Sequence, residues 1–305
     1  MDVHLAEATR ARMLSDAGGF SRVVCGIDGS REGFEAARQA ARLTSPDGRL
    51  QLVAVLDFYA ALAGRWGPEP PLRRIWDASV SDIDGCFSDL RERARASLAL
   101  AARQVDGAAE VSTQVVDGDV DVRLLEAVDA ESATLLVVGT HGGSRLAGAA
   151  FGEATTLLLH EAPVSVLIAR SPFEPECFPA SIVAGIDGSP EARCALDVAA
   201  QLRGRSGGRL TVVAGTRDED PVVAALDGFE APHELVISTR RPVDALVAAA
   251  QTADLVVVGS RGLHGARALG SVSERVAHRA PSSVLVVRPL APEADAEDQV
   301  VGGAA

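Results

Sequence analysis

The groups in this chain that could do chemistry fall into two sets with the same order. The first opens with Asp28 in the run VVCGIDGS (23–30) and continues with Gly139, His141, Gly142, Gly152 and Glu153. The second opens with Asp187 in IVAGIDGS (182–189) and continues with Gly259, Gly262, Gly270, Ser271 and Ser273. Each aspartate ends an apolar run and leads through Gly-Ser into a helical pattern. There it can help cap the helix, or offer a carboxylate or backbone contact to a base or ribose, and the two roles are compatible. Each glycine loop also follows an apolar run. Glycine lets backbone approach a ligand closely and adopt positive φ. The helix that follows turns its first N–H groups outward, a phosphate site in kind. The chemistry implied is binding rather than bond cleavage.

Other chemistries are excluded by what is missing. No GxGxxG follows either first run, no GxxxxGK[ST] occurs, and no GxSxG marks a nucleophile elbow. All 29 basic residues are arginine, which removes every mechanism that needs a lysine. Gly26 stands where a haloacid-dehalogenase-type phosphatase would carry its second aspartate. Cys25, Cys86, Cys177 and Cys194 form no CxxC pair, so neither a zinc site nor a disulfide framework is expected. Cys25 sits in an apolar run and reads as a small buried hydrophobe. The net charge of −13 disfavours nucleic acid. It also requires any anionic ligand to be held by local N–H groups. No apolar run approaches the roughly 18–20 residues needed to span a bilayer. Residues 1–19 have no signal-peptide core, so a cytoplasmic location is expected.

Elements of regular spacing must position these groups. Strands are expected at 21–27, 50–55, 110–116, 134–138 and 164–169. Helices are expected at 31–43, 79–104, 120–130 and 153–161, with a long loop containing Arg65, Trp66, Pro68, Pro70 and Pro71 before the second. The alternation and the apolar strands (LLVVG, VSVLIA) argue for a parallel sheet covered on both faces. The whole pattern repeats. LLVVGTHG (135–142) matches LVVVGSRG (255–262), and EAPVSVLIAR (161–170) matches RAPSSVLVVR (279–288). Asp28 and Gly139 are 111 positions apart, Asp187 and Gly259 only 72, so the second copy lacks the long middle helix. The expected organisation is an N-terminal extension (1–20), a complete first domain (21–170), a Pro-rich linker (171–180), a shortened second domain (181–290) and a disordered acidic tail (291–305). In such sheets ligands bind beyond the carboxyl ends of the strands, where strand order reverses. If the first and fourth strands are neighbours, the Asp28 and Gly139 loops line one crevice.

The strand ending GIDGS, followed by VVGTHG or VVGSRG and by GSVSERVAHRAPSSVLVVR, resembles a tandem member of the universal stress protein family. The most specific stretch is DLVVVGSRGLHGARALGSVSERVAHRAPSSVLVVR (254–288). The resemblance implies an α/β fold of two tandem Rossmann-like domains. Each would be a five-stranded parallel sheet of order 3-2-1-4-5 with helices on both faces. It also implies ATP binding through a G-x2-G-x9-G-[ST] loop, with Mg²⁺ accompanying the nucleotide. The adenosine would lie by Gly26 and Asp28 after the first strand, Val55 after the second and Gly118 after the third. The last strands would pair, either as a pseudo-dimer within the chain or as a homodimer. The function implied is a stress-response sensor or regulator that binds an adenine nucleotide with little or no catalysis.

Neither copy matches the loop fully. The first keeps Gly139, Gly142 and Gly152 at the family spacing but has Glu153 in place of the hydroxyl. Two unit charges about 4 Å apart repel by about 1 kcal/mol in water and about 4 kcal/mol at an effective dielectric of 20. The second keeps Gly270-Ser271 and Ser273, but only seven residues (263–269) separate Gly262 from Gly270. Binding is therefore expected mainly in the first domain and more weakly in the second. Two other readings stand beside it: an interaction or scaffold module of the same fold without nucleotide, and a slow ATPase with His141 as the only candidate base.

Overall fold

The computed structural model describes residues 14, 18–57, 80–105, 110–140, 152–170, 177–260 and 272–289, without the side chains of 80–84 and 86. The proline-bearing loop after the second strand, the candidates His141, Gly142, Gly262, Gly270 and Ser271, most of the expected linker, and the tail lie outside the described residues.

The first repeat runs β1 (Phe20–Gly26), α1 (Arg31–Leu43), β2 (Thr44–Leu56), α2 (Val80–Gln104), β3 (Glu110–Asp117), α3 (Val120–Ala130), β4 (Leu135–Gly139), α4 (Glu153–Glu161) and β5 (Ser165–Ala169). The second runs β6 (Ser181–Gly185), α5 (Pro190–Ser206), β7 (Arg209–Gly215), α6 (Asp220–Ala225), β8 (Glu234–Ser238), α7 (Pro242–Ala249), β9 (Leu255–Gly259), α8 (Val272–Arg279) and β10 (Ser283–Val287). The 25-residue α2 corresponds in the second repeat to the six-residue α6, which the chain enters through Glu219-Asp220-Pro221. β2 begins at Thr44 rather than 50. Thr44 pairs with Phe20, and the register then shifts before Arg22 pairs with Arg49.

Within each repeat the strand order is 3-2-1-4-5, all parallel, as a Rossmann-like unit requires. The two sheets do not stand apart. They join into one ten-stranded sheet, β3-β2-β1-β4-β5-β10-β9-β6-β7-β8, through antiparallel pairing of β5 with β10. The seam pairs Val166 with Val286, Leu167 with Leu285 and Ile168 with Val284. Every residue of both strands is buried. A last strand this apolar would otherwise leave an open edge of unpaired N–H and C=O groups.

Helices cover both faces. α1, α2 and α5 pack on one face against Cys25, Leu52, Val212 and Leu285. α3, α4, α7 and α8 pack on the other against Val24, Val53, Val213 and Val256. Alternate residues of each strand thus serve opposite layers, the pattern of a sheet buried on both sides. None of the described helices is long and apolar enough to cross a membrane.

Candidate functional site

β1 pairs with β2 on one side and β4 on the other, and β6 pairs likewise with β7 and β9. Strand order reverses at these points. The loops after β1 and β4, and after β6 and β9, therefore flank one crevice in each repeat.

The loop after β1 is built around its aspartate. Asp28 Oδ1 accepts hydrogen bonds from the Ser30 backbone N–H (2.9 Å) and the Ser30 hydroxyl (2.6 Å). Ser30 Oγ in turn accepts from Gly33 N–H at 3.0 Å, so Ser30 is the N-cap of α1. The second repeat copies this with Asp187, Ser189 and Ala192. The turn needs φ of +78° at Gly29 and +84° at Gly188, which only glycine adopts readily. Asp28 and Asp187 remain exposed at the strand tips. One carboxylate oxygen of each therefore shapes the turn while the side chain stays accessible from the crevice.

Gly139 and Gly259, at the ends of β4 and β9, have a packing reason to be glycine. A Cβ on Gly259 would lie 2.4 Å from the Glu191 carbonyl oxygen, and one on Gly139 would lie 3.1 Å from Glu32 carbonyl carbon. Each glycine seats the first turn of the helix that follows the aspartate, which brings Asp28 beside β4 and Asp187 beside β9. Gly152 is the N-cap of α4, and its N–H donates to Thr140 O at 3.1 Å. Glu153, the first residue of α4, is exposed. Gly26 packs under Leu124, half-buried Val55 sits against the α3 face, and Gly118 has φ of +137° after β3. The described candidates thus share the carboxyl edge of the sheet. Asp28, Gly139, Gly152 and Glu153 are at its centre, and Val55 and Gly118 lie further out along β2 and β3.

Thr155 stands outside the glycine pattern. It lies three residues after Gly152, as Ser273 lies three after Gly270, and it is buried with its hydroxyl donating to Gly139 O at 3.2 Å. The repeat itself carried that signal. Thr155 ties the start of α4 to the end of β4 in the first repeat.

In the second repeat the crevice opens into a cavity of about 400 Å³, lined among others by Asp187, Glu191, Gly259, Ser273, Glu274 and Arg275. Its lining carries three carboxylates, Asp187, Glu191 and Glu274, beside the first residues of α8. Among the described residues no group of three His, Cys, Asp or Glu side chains could hold a metal ion. Burial pushes the Cys25 thiol well up, which keeps it protonated and inert.

A sequence profile described as the universal stress protein family matches residues 19–170 and 216–288. A universal stress protein of Mycolicibacterium smegmatis is 28% identical over 294 residues, covering 88% of this chain and 97% of its own. A universal stress protein of Mycobacterium tuberculosis is 30% identical over 229 residues, covering 63% of this chain and 69% of its own. The crystal structure of a universal stress protein from Archaeoglobus fulgidus superimposes with a TM-score of 0.65 at 20% identity, covering 88% of this chain and 98% of that one. That last likeness concerns the fold. The profile covers well over half of the sequence and falls on both repeats, and the chain belongs to the universal stress protein family.

Proposed function

We propose that the chain binds an adenine nucleotide beyond the carboxyl ends of its strands and acts as a stress-responsive sensor or regulator with little or no catalysis. The observation that carries this reading is the crevice built twice at the point of strand reversal. In each repeat an exposed aspartate, a glycine strand end and the start of a helix converge there. The first repeat is the primary site, because its glycines keep the family spacing; the second, with its hydroxyls and its cavity, is the weaker one. Mg²⁺ would travel with the phosphates rather than on a cluster of protein ligands. A purely ligand-free interaction module is the second reading, favoured by the carboxylate of Glu153 at the phosphate end of the first site.

Glu153→Ser distinguishes the two. Glu153 is exposed, so the water-like repulsion of about 1 kcal/mol applies, which is about fivefold in affinity. Calorimetric titration with ATP and Mg²⁺ is expected to give a dissociation constant about fivefold tighter for Glu153→Ser than for the wild type. If neither protein takes up ATP, the ligand-free reading replaces this one.

A further inference from the structure

The antiparallel seam uses both last strands, so the ten-stranded sheet ends in two others, β3 and β8. An outer strand turns alternate N–H and C=O groups away from its one neighbour, where they can pair with another chain. Both edges are exposed over most of their length. They differ in what they carry.

A second copy meets such an edge most simply through a twofold axis, which pairs the strand antiparallel with itself. Around the centre of β3 that pairing sets Glu110 against the partner's Asp117, and like charges directly opposite destabilise a sheet. Glu110 and Asp117 are also already engaged, by Arg49 at 2.9 Å and Arg91 at 2.5 Å.

The same operation on β8 has the opposite result. Around its central residue, Val236, it sets Leu235 against the partner's Ile237 and Val236 against its own copy. Leu235 and Val236 are each 38% exposed, so both have apolar surface left to bury. Glu234 comes opposite the partner's Ser238, two positions before the partner's Arg240. Diagonal neighbours of that kind lie about 7–8 Å apart, within reach of long side chains. Glu234 and Arg240 are both exposed, and both line one groove of about 770 Å³ between β8 and α7. Within one molecule they stand at opposite ends of β8, which spans about 13 Å at about 3.3 Å per residue. Neither forms an ion pair among the described residues. A twofold partner brings each beside its opposite, twice over.

We propose that β8 is an interface for a second copy of this chain: two molecules pair β8 antiparallel about Val236 and continue one ten-stranded sheet into the other. Glu234 and the partner's Arg240 set the register, and the Leu235–Ile237 pairs exclude water. The paired strand has five residues, so the contact falls well below the about 1,600 Å² of a standard interface. The net charge of −13 also opposes association at long range. The dimer is therefore a reversible one.

Sedimentation velocity of the full chain tests this, in about 0.15 M salt, where charges beyond about 8 Å are largely screened. The wild type is expected to pass from monomer to dimer over about 1–500 µM, with a dissociation constant of about 10–100 µM. Glu234→Arg alone and Arg240→Glu alone each replace two attractions by two repulsions and should weaken the dimer about tenfold. Mixing these two single variants should restore wild-type affinity, because every pair across the axis is then of opposite charge. A misfolded variant would not be rescued in this way. Val236→Lys sets two ammonium groups across the axis and should abolish the dimer throughout the range, while Val111→Lys on β3 should change its dissociation constant less than about twofold. If Val236→Lys does not fold, the charge variants serve, since both positions are exposed. The proposal is overturned if the wild type stays monomeric up to about 500 µM, if Val111→Lys weakens the dimer as much as Val236→Lys, or if mixing the charge variants restores nothing. No nucleotide enters these measurements, so their outcome is independent of whether ATP binds.

Discussion

Leu285→Asp is expected to leave no cooperatively folded chain. Leu285 is fully buried at the middle of the seam, paired with Leu167 across the antiparallel β5–β10 ladder, and it belongs to the core beneath α1 and α5. A carboxylate there would be buried without a partner, among the most destabilising of single changes. Leu285→Ala separates packing from charge. Removing a buried leucine costs about 2–5 kcal/mol, and each kcal/mol lowers the melting temperature by about 2–4 °C in a protein near this size. Far-UV circular dichroism through a urea titration reads both variants. A wild-type midpoint for Leu285→Asp would mean that the two repeats do not depend on a shared seam.

Asp254→Ala is expected to be the next most damaging change, at about 2–5 kcal/mol. Asp254 is 1% exposed and sits just before β9. One carboxylate oxygen accepts from the backbone N–H groups of Ala180 and Ser181, both at 2.9 Å, and so fixes the chain where it enters β6. Removing it strands two N–H donors, at about 1–3 kcal/mol each. The first repeat has Thr134 at the matching place. Its hydroxyl and N–H both donate to Arg22 O, at 3.1 and 2.8 Å, so Thr134→Ala should cost only about 0.5–1.5 kcal/mol. Urea midpoints for the two alanine variants check the difference. Equal losses would contradict the assigned role of the carboxylate.

The alternation of elements was legible because the strands are uninterrupted apolar runs and the helices begin at recognisable caps. Ser30 and Ser189 are N-caps, with Pro190 in the first turn of α5, and α1, α3 and α4 begin and end where the pattern places them. Strand order came from the resemblance, since periodicity says nothing of which strand lies beside which. The twin blocks EAPVSVLIAR and RAPSSVLVVR were visible, but not the purpose of their final arginines. Arg170 and Arg288 each reach across the seam to cap a helix of the other repeat, and only the fold brings those carbonyls within range. The same holds for Gln39, whose amide bonds Arg170 O at 2.5 Å and accepts from Ser283 at 2.8 Å, joining α1 to both seam strands. Gly139 and Gly259 were read as backbone exposed to a ligand. They are glycine at least as much because the first turn of a helix lies against them. A pattern that serves packing and binding together cannot be divided between the two from sequence alone.

Adenine-nucleotide binding is tested most directly by a thermal melt of the wild-type chain with increasing ATP and Mg²⁺. A ligand at about a hundred times its dissociation constant stabilises a folded protein by about 2.7 kcal/mol, or about 5–10 °C at this size. The expected result is a saturable rise of that order with no measurable release of phosphate. A melting temperature that does not move up to about ten millimolar ATP would contradict it.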